Sequence, residues 1–202
     1  MLQTQTTNPE LLELLKKLMK DDFFKNFILV GGTSLALQLG HRNSVDIDLF
    51  GNQNIDREVF EEKLKEYGIT EVAQSTKNIF ISSINNIKVD FVNYNYPLLK
   101  QFKTIENIRL ASLEDIAAMK LNAIMGRGSR KDFIDLYFLL KEFSMKEILD
   151  FYNKKYADGS QFLVLKSLVY FDDADIQPQP KMFRNFDWED CKKTILEEVF
   201  KL

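Results

Sequence analysis

The sequence is poor in the side chains that run most nucleophilic and zinc chemistry: among 202 residues it has one cysteine, Cys191, and one histidine, His41. A single cysteine rules out an internal disulfide framework, and so close to the C-terminus it is expected to be a packing residue. A Ser-His-Asp or Cys-His mechanism would have to use His41, yet no glycine-flanked serine nucleophile accompanies it. His41 precedes an acidic segment, where a supporting or exposed role is expected, and one Cys with one His does not make a zinc site. Long apolar runs are also missing: none approaches the roughly 20 residues of a membrane helix. Residues 1–8 are polar and carry neither the basic region nor the apolar stretch of a signal peptide, so the cytoplasm is the expected location, with no membrane partner. Charge of one sign is scarce too. A net charge of −3 argues against a broad, sequence-independent nucleic-acid coat. It leaves room for an RNA held by a few local basic residues. Internal repeats and low-complexity tracts are absent.

What is present suits a packed protein. Apolar residues make up 45% and aromatics 12%, enough for a core. The length suits one large domain or two small lobes. Asn8-Pro9-Glu10 reads as a cap, a first-turn proline and an acid placed against the helix dipole, predicting a helix to about residue 20. Strands are expected at 27–30 and 45–50, with a helix at 33–39 between them and another at 56–67 ended by Gly68. Three strands follow at 70–74, 78–84 and 87–92, the last two joined by Asn85-Asn86, since asparagine tolerates the positive φ of a two-residue hairpin turn. Capping signals at Ser112/Asp115 and Ser144/Glu147 open a helical half, with helices near 112–125, 130–142, 144–153, 161–170 and 187–200 and a polar loop at 172–180. The predicted class is therefore α+β, a small mixed sheet flanked by helices and followed by a helical C-terminal half.

The chemistry concentrates in Val30-Gly31-Gly32-Thr33-Ser34-Leu35 and in Val45-Asp46-Ile47-Asp48-Leu49. Residues two apart on a strand share a face, so Asp46 and Asp48 point the same way with about 6–7 Å between their Cα atoms. Two such carboxylates repel by roughly 2–3 kcal/mol at an effective dielectric near 20, a cost that a shared cation removes. Oxygen ligands alone suit a hard ion such as Mg²⁺. Lys88-Val89-Asp90-Phe91 repeats the alternation, and beside the first acid strand Asp90 supplies a third carboxylate, enough for a two-ion site of the kind that suits in-line phosphoryl transfer. The double glycine lets backbone N–H groups approach a ligand, and a helix starting after it offers its positive end to phosphate, with the Thr33 and Ser34 hydroxyls at the same spot. Taken singly, Gly-Gly is usually a plain turn, Asp-x-Asp a solvated strand edge and Lys88 with Asp90 a solvent face. The combination points to nucleotidyl transfer.

On the following helix, Lys120 and Arg127 lie seven residues apart and share a face with Ala117 and Ile124. Lys120 is either a snorkelling surface lysine or a functional residue, a phosphate ligand or a general acid for the leaving pyrophosphate. Asp132 and Asp135, with Lys131, fit either a salt-bridged helix start or a functional cluster. Arg130 and Lys131, beside Gly126-Arg127-Gly128, form a local basic cluster able to meet a triphosphate or an RNA backbone. Arg42 is either a loop arginine or a residue that fixes the acids or touches phosphate.

The glycine turn, the Asp-x-Asp pair and the later third acid resemble the DNA polymerase beta-like nucleotidyltransferase superfamily, with the thirteen-residue spacing from Gly32 to Asp46 at the long end of its pattern. Gly31-Gly32-Thr33-Ser34-Leu35-Ala36-Leu37, Arg42-Asn43-Ser44-Val45-Asp46-Ile47-Asp48-Leu49-Phe50, Lys120-Leu121-Asn122-Ala123 and Lys131-Asp132-Phe133-Ile134-Asp135-Leu136-Tyr137 are similar to the AbiEii/AbiGii toxin branch. The resemblance runs from Phe27 to Leu140 and leaves the last sixty or so residues without an assigned motif. It implies a nucleotidyltransferase core over residues 1–110 and a helical region, 111–202, that completes the active site. The implied catalytic residues are Asp46, Asp48, Asp90 and Lys120, with the three acids as ligands of one or two Mg²⁺ ions. The implied nucleotide-binding residues are Gly31, Gly32, Thr33, Ser34, Arg42, Arg127, Lys131, Asp132 and Asp135. The resemblance also implies an NTP donor, an acceptor such as a tRNA 3′ end, and a cognate antitoxin of a type IV system. The alternative is a nucleotide-binding or regulatory protein of the same fold without turnover.

Overall fold

A computed structural model describes all 202 residues. The elements run α1 (Pro9–Lys20), β1 (Phe27–Leu29), α2 (Gly31–Leu39), β2 (Ile47–Gly51), α3 (Arg57–Lys65), β3 (Thr70–Ser75), β4 (Ile79–Ile84), β5 (Ile87–Asn93), β6 (Lys103–Ile105), β7 (Ile108–Leu110), α4 (Leu113–Gly126), α5 (Arg130–Leu139), α6 (Met145–Lys155), α7 (Gln161–Leu168), α8 (Asp172–Asp175) and α9 (Trp188–Phe200). The fold is α+β, as the patterning predicts. No helix is long and apolar enough to cross a membrane.

The chain forms two compact units. The first comprises Met1–Gln38, Ser44–Asn95 and Phe102–Ala111; the second comprises Leu39–Asn43, Tyr96–Gln101 and Ser112–Leu202.

The first unit holds a seven-stranded mixed sheet in the order β3-β4-β5-β2-β1-β7-β6. Sequence alternation sets its faces. Ile47, Leu49, Val89 and Phe91 are buried on the core side, while Asp48 and Asp90 take the intervening positions. Under the core face, Phe24, Phe27, Phe60, Phe80 and Phe91 interlock, Phe27 meeting Phe91 edge-on at 5.3 Å. The apolar face of α1, capped by the Asn8 side chain accepting from Leu11 N, closes the same core. The β4–β5 hairpin turns on Asn85 and Asn86 at φ 50° and 66°, as predicted. The β6–β7 hairpin is unpredicted. It uses the same turn geometry at Glu106 and Asn107, φ 51° and 65°, and joins strands of only three residues each.

The second unit is helical. α4 is capped by the Ser112 hydroxyl, and α6 carries a full capping box between Ser144 and Glu147. Phe133, Phe171 and Trp188 pack together, and Arg130 lies 4.5 Å over the Trp188 ring. Part of the predicted polar loop forms the short helix α8. Cys191 is buried, its thiol donating to Phe133 O at 3.7 Å, and burial pushes the thiol pKa up, so it is a packing residue.

Candidate active site

Two clusters of charged side chains stand out, one in each unit.

In the first unit, β2 and β5 run parallel with Asp48 directly opposite Asp90. Neighbouring strands lie about 4.8 Å apart, so the two carboxylates share a face at close range. Asp46 precedes β2 and is held by its backbone: the Thr33 hydroxyl donates to Asp46 O and lies 2.8 Å from Ser44 Oγ. Val30 N–H donates to Asp48 O at 2.9 Å. The start of α2 is thus bonded to the carbonyls of both acids of the pair, and this fixes where their side chains emerge.

Gly31 opens α2 at φ +68°. A β-carbon there would be strained by that backbone conformation and would overlap Asp48 Oδ2, lying 3.2 Å from its Cγ. The Asp48 carboxylate therefore rests against the helix start, at the end of the dipole that favours an anion. Gly32 follows within the first turn, and helix begins two residues earlier than the sequence pattern places it. Thr33 and Ser34 depart from expectation: both are wholly buried. Thr33 spends its hydroxyl proton on the Asp46 loop, and Ser34 Oγ accepts from Gln38 Nε2 at 3.2 Å. Their hydroxyls are scaffold contacts, and the helix start offers phosphate only its backbone.

Sequence reasoning passed over Lys88 as solvent face. Its ammonium sits 2.5 Å from Asp90 Oδ2. Partial burial works against its charge, but the bond to Asp90 and the charges of Asp90, Asp48 and Asp46 outweigh that and raise its pKa. The other oxygen of this carboxylate, Asp90 Oδ1, is buried and has no hydrogen-bond partner. An unsatisfied buried carboxylate oxygen is costly, and a hard cation would satisfy it, so the all-oxygen donor set fits Mg²⁺. The acids are not gathered into a closed cage: no three His, Cys, Asp or Glu side chains converge closely enough to enclose an ion.

In the second unit the charges are saturated. Asp135 is fully buried and accepts from Arg42 Nε (2.7 Å), Arg42 Nη2 (2.7 Å), His41 Nε2 (2.8 Å) and Lys120 Nζ (2.6 Å). Asp132, also fully buried, accepts from Lys120 Nζ (3.0 Å), Arg127 Nε (2.9 Å), Arg127 Nη2 (3.1 Å) and Ser129 Oγ (2.6 Å). Lys120 bridges the two acids and is 5% exposed. Burial opposes ionisation of both carboxyls. The Lys120 charge with the Arg127 bond lowers Asp132, and the Arg42 and Lys120 charges hold Asp135 well below the ordinary carboxyl range. Burial likewise opposes the Lys120 charge, but Asp135 and Asp132 overcome it and raise the pKa, so this ammonium keeps its proton. His41, expected in a supporting or exposed role, is buried against Phe138, and burial lowers its pKa below the usual imidazole value. With Nε2–H donating to Asp135, Nδ1 has no partner. The cluster thus brings together Arg42, Lys120, Arg127, Asp132 and Asp135 and adds His41 and Ser129, but it spares neither acid an oxygen for a nucleotide. Lys131 stays outside it, exposed.

A second buried pair, Lys155 Nζ to Asp115 Oδ1 at 2.7 Å, also escaped the sequence reading. Lys155 further donates to Pro97 O, and Asp115 accepts from Leu99 N and Lys100 N. The pair fastens residues 96–101 within the helical unit.

Known proteins resemble the chain over most of its length. The family described as Nucleotidyl transferase AbiEii toxin, Type IV TA system, matches residues 13–201. An uncharacterized protein of Aquifex aeolicus is 34% identical over 201 residues, covering 94% of this chain and 91% of its own. The nucleotidyltransferase toxin MenT4 of Mycobacterium tuberculosis superposes with a TM-score of 0.56 at 17% identity, covering 96% of this chain and 86% of its own. JHP933 from Helicobacter pylori does so with a TM-score of 0.58 at 17% identity, covering 95% and 88%.

Proposed function

Because the chain belongs to the AbiEii family of nucleotidyltransferase toxins, we propose that it transfers a nucleoside monophosphate from an NTP to an acceptor hydroxyl, using Mg²⁺ held by Asp46, Asp48 and Asp90. The observation that carries this reading is the in-register Asp48–Asp90 pair, with Asp90 Oδ1 buried and unpartnered, set against the glycine-led start of α2. When bound, the ion neutralises the triphosphate and sharpens the acceptor oxygen as a nucleophile.

The chain's own groups divide the remaining work. Asp46 and Asp48 project from a segment whose carbonyls are locked to α2, so their carboxylates are pre-oriented. The first-turn N–H groups at Gly31 and Gly32 bind a phosphate oxygen. Asp90 completes the ligand set and takes the acceptor hydroxyl proton. The acceptor oxygen bonds to the α-phosphorus, the bond from that phosphorus to the bridging oxygen breaks, and pyrophosphate leaves with the electron pair. Lys120, holding its proton between two carboxylates, acts as a fixed charge that positions Asp132 and Asp135 and not as a proton donor. Arg42 shares that task at Asp135. Arg127, whose side chain is 69% exposed, and Lys131 offer positive charge to a triphosphate or an RNA backbone, and the acceptor we favour is an RNA such as a tRNA 3′ end. On this reading the protein works in the cytoplasm as a growth-arresting toxin restrained by a cognate antitoxin.

The test is incubation of purified protein with each labelled NTP and Mg²⁺, separately with total RNA, protein extract, and aminoglycoside- or lincosamide-like acceptors. Label is expected in the RNA fraction, with pyrophosphate released, and Asp48→Asn is expected to abolish both while the circular dichroism spectrum is unchanged. Retained incorporation by Asp48→Asn would overturn the assignment. A nucleotide binder without turnover is the second reading, favoured by the open arrangement of the acids. Nucleotide bound tightly with no pyrophosphate released under any acceptor would establish it.

A further inference from the structure

Lys88 lies two residues from Asp90 on the same face of β5 and reaches its Oδ2 at 2.5 Å, while Oδ1 of that carboxylate has no partner. Its side chain is 49% exposed, and Asp90, Asp48 and Asp46 all act on its charge. One tethered cation therefore stands among three anions, leaving the group two negative charges in excess, the charge of one divalent ion. Buried pairs elsewhere in the molecule are different in kind: Lys155 and Asp115 are each 1% exposed and cannot separate without opening the helical unit. Lys88 needs only a rotation of a flexible, half-exposed stem to leave, and it leaves as an ammonium into water, so the exchange is of one cation for another and moves no proton. Asp90 is only 13% exposed, but the Lys88 end of the pair is open to solvent, and a divalent ion brings twice the charge to the same carboxylate.

We propose that Lys88 is a built-in competitor of the divalent cation for the charge of the Asp90 carboxylate, setting the metal concentration at which the acid site assembles. This rests on the metal-dependent reading of the site. Lys88 is a positioning residue here: it acts through Asp90, and its effect falls on metal affinity.

The experiment is calorimetric titration of Mn²⁺ into the full-length, nucleotide-free protein, comparing wild type with Lys88→Met, Lys88→Gln, Lys88→Arg and Asp48→Asn. Both neutral variants are expected to bind Mn²⁺ about three- to tenfold more tightly than wild type, since the competing ion pair is gone. Lys88→Arg, which keeps the charge, should stay within about twofold of wild type on the same reasoning, and Asp48→Asn should bind far more weakly. Equal or weaker binding by Lys88→Met and Lys88→Gln, with Asp48→Asn still defective, overturns the role of Lys88 and leaves the metal site standing. No Mn²⁺ binding by wild type, and no difference in Asp48→Asn, overturns both readings. Lys88→Met and Lys88→Gln differ in polarity but share the loss of charge, so a folding defect confined to one leaves the other to decide.

Discussion

The acid face of the sheet and the charge cluster of the helical unit are built from the same materials and finished differently. Asp132 and Asp135 are fully buried and each accepts four hydrogen bonds from cations, a hydroxyl or an imidazole. Asp90 has one lysine on one oxygen and nothing on the other. A saturated buried cluster holds elements in place and has nothing left with which to bind. A carboxylate left one partner short is costly unless something arrives to complete it. The family's chemistry is thus expected where electrostatic satisfaction is incomplete, and its architecture where it is complete.

The contrast can be broken most directly at its two poles. Asp48→Asn should lower nucleotide transfer by about a thousandfold or more, since it removes a ligand and a charge from the reacting centre. Its melting temperature should stay close to wild type, because it also relieves repulsion across β2 and β5. Asp135→Ala should do the reverse in kind. It strips the partner from buried Arg42 and Lys120, and urea denaturation should show a loss of about 3–5 kcal/mol. If Asp135→Ala melted like wild type, the cluster would not be a scaffold. Gly31→Ala sits between the poles: a methyl group at φ +68° against the Asp48 carboxylate should cost about 1–2 kcal/mol of stability. Displacing Asp48 should also slow transfer by about a hundredfold, measured as initial rate at saturating NTP.

The smallest effect sharpens the comparison through pH. His41 has a lowered pKa when folded, so as pH falls through about 6.5 the unfolded chain gains a proton that the folded chain refuses. Stability should therefore decline below pH 6.5 by up to about 1.4 kcal/mol per pH unit. Asp132 and Asp135, depressed when folded, contribute stability that is intact above their ordinary value of 3.8 and is lost as pH falls below it toward their folded values. Urea midpoints measured from pH 7.5 to 5 should show the first slope, and His41→Gln should flatten it.

The readable parts of the sequence were those with a local cause. Period-two alternation placed β2, β4 and β5. Caps at Asn8, Ser112 and Ser144 placed helix starts to within a residue or two, and Asn85-Asn86 announced its own turn. The β6–β7 hairpin was hidden because its strands are three residues long and Glu106, a poor residue for positive φ, holds the first turn position. At the site, the shared face of Lys88 and Asp90 within β5 was legible, whereas Asp46, expected on the same strand as Asp48, lies just before β2. The opposite signs of Lys88 and Asp90 were the available signal for their contact. The pairing of Asp48 with Asp90 depends on strand order, which alternation does not fix. Two partners of Asp135, His41 and Arg42, lie more than ninety residues away, beyond the reach of any helix-spacing argument. The inward turn of the Thr33 hydroxyl likewise depends on a loop thirteen residues on.

Leu39–Asn43 belongs to the helical unit although residues on either side of it belong to the sheet unit. A gene fragment beginning at Ser112 would therefore encode Asp135 without Arg42 or His41, and a recombination event with a single crossover could not exchange one unit between homologues intact. Variation that reshapes the helical unit must keep faith with residues 39–43 and 96–101, encoded upstream of α4.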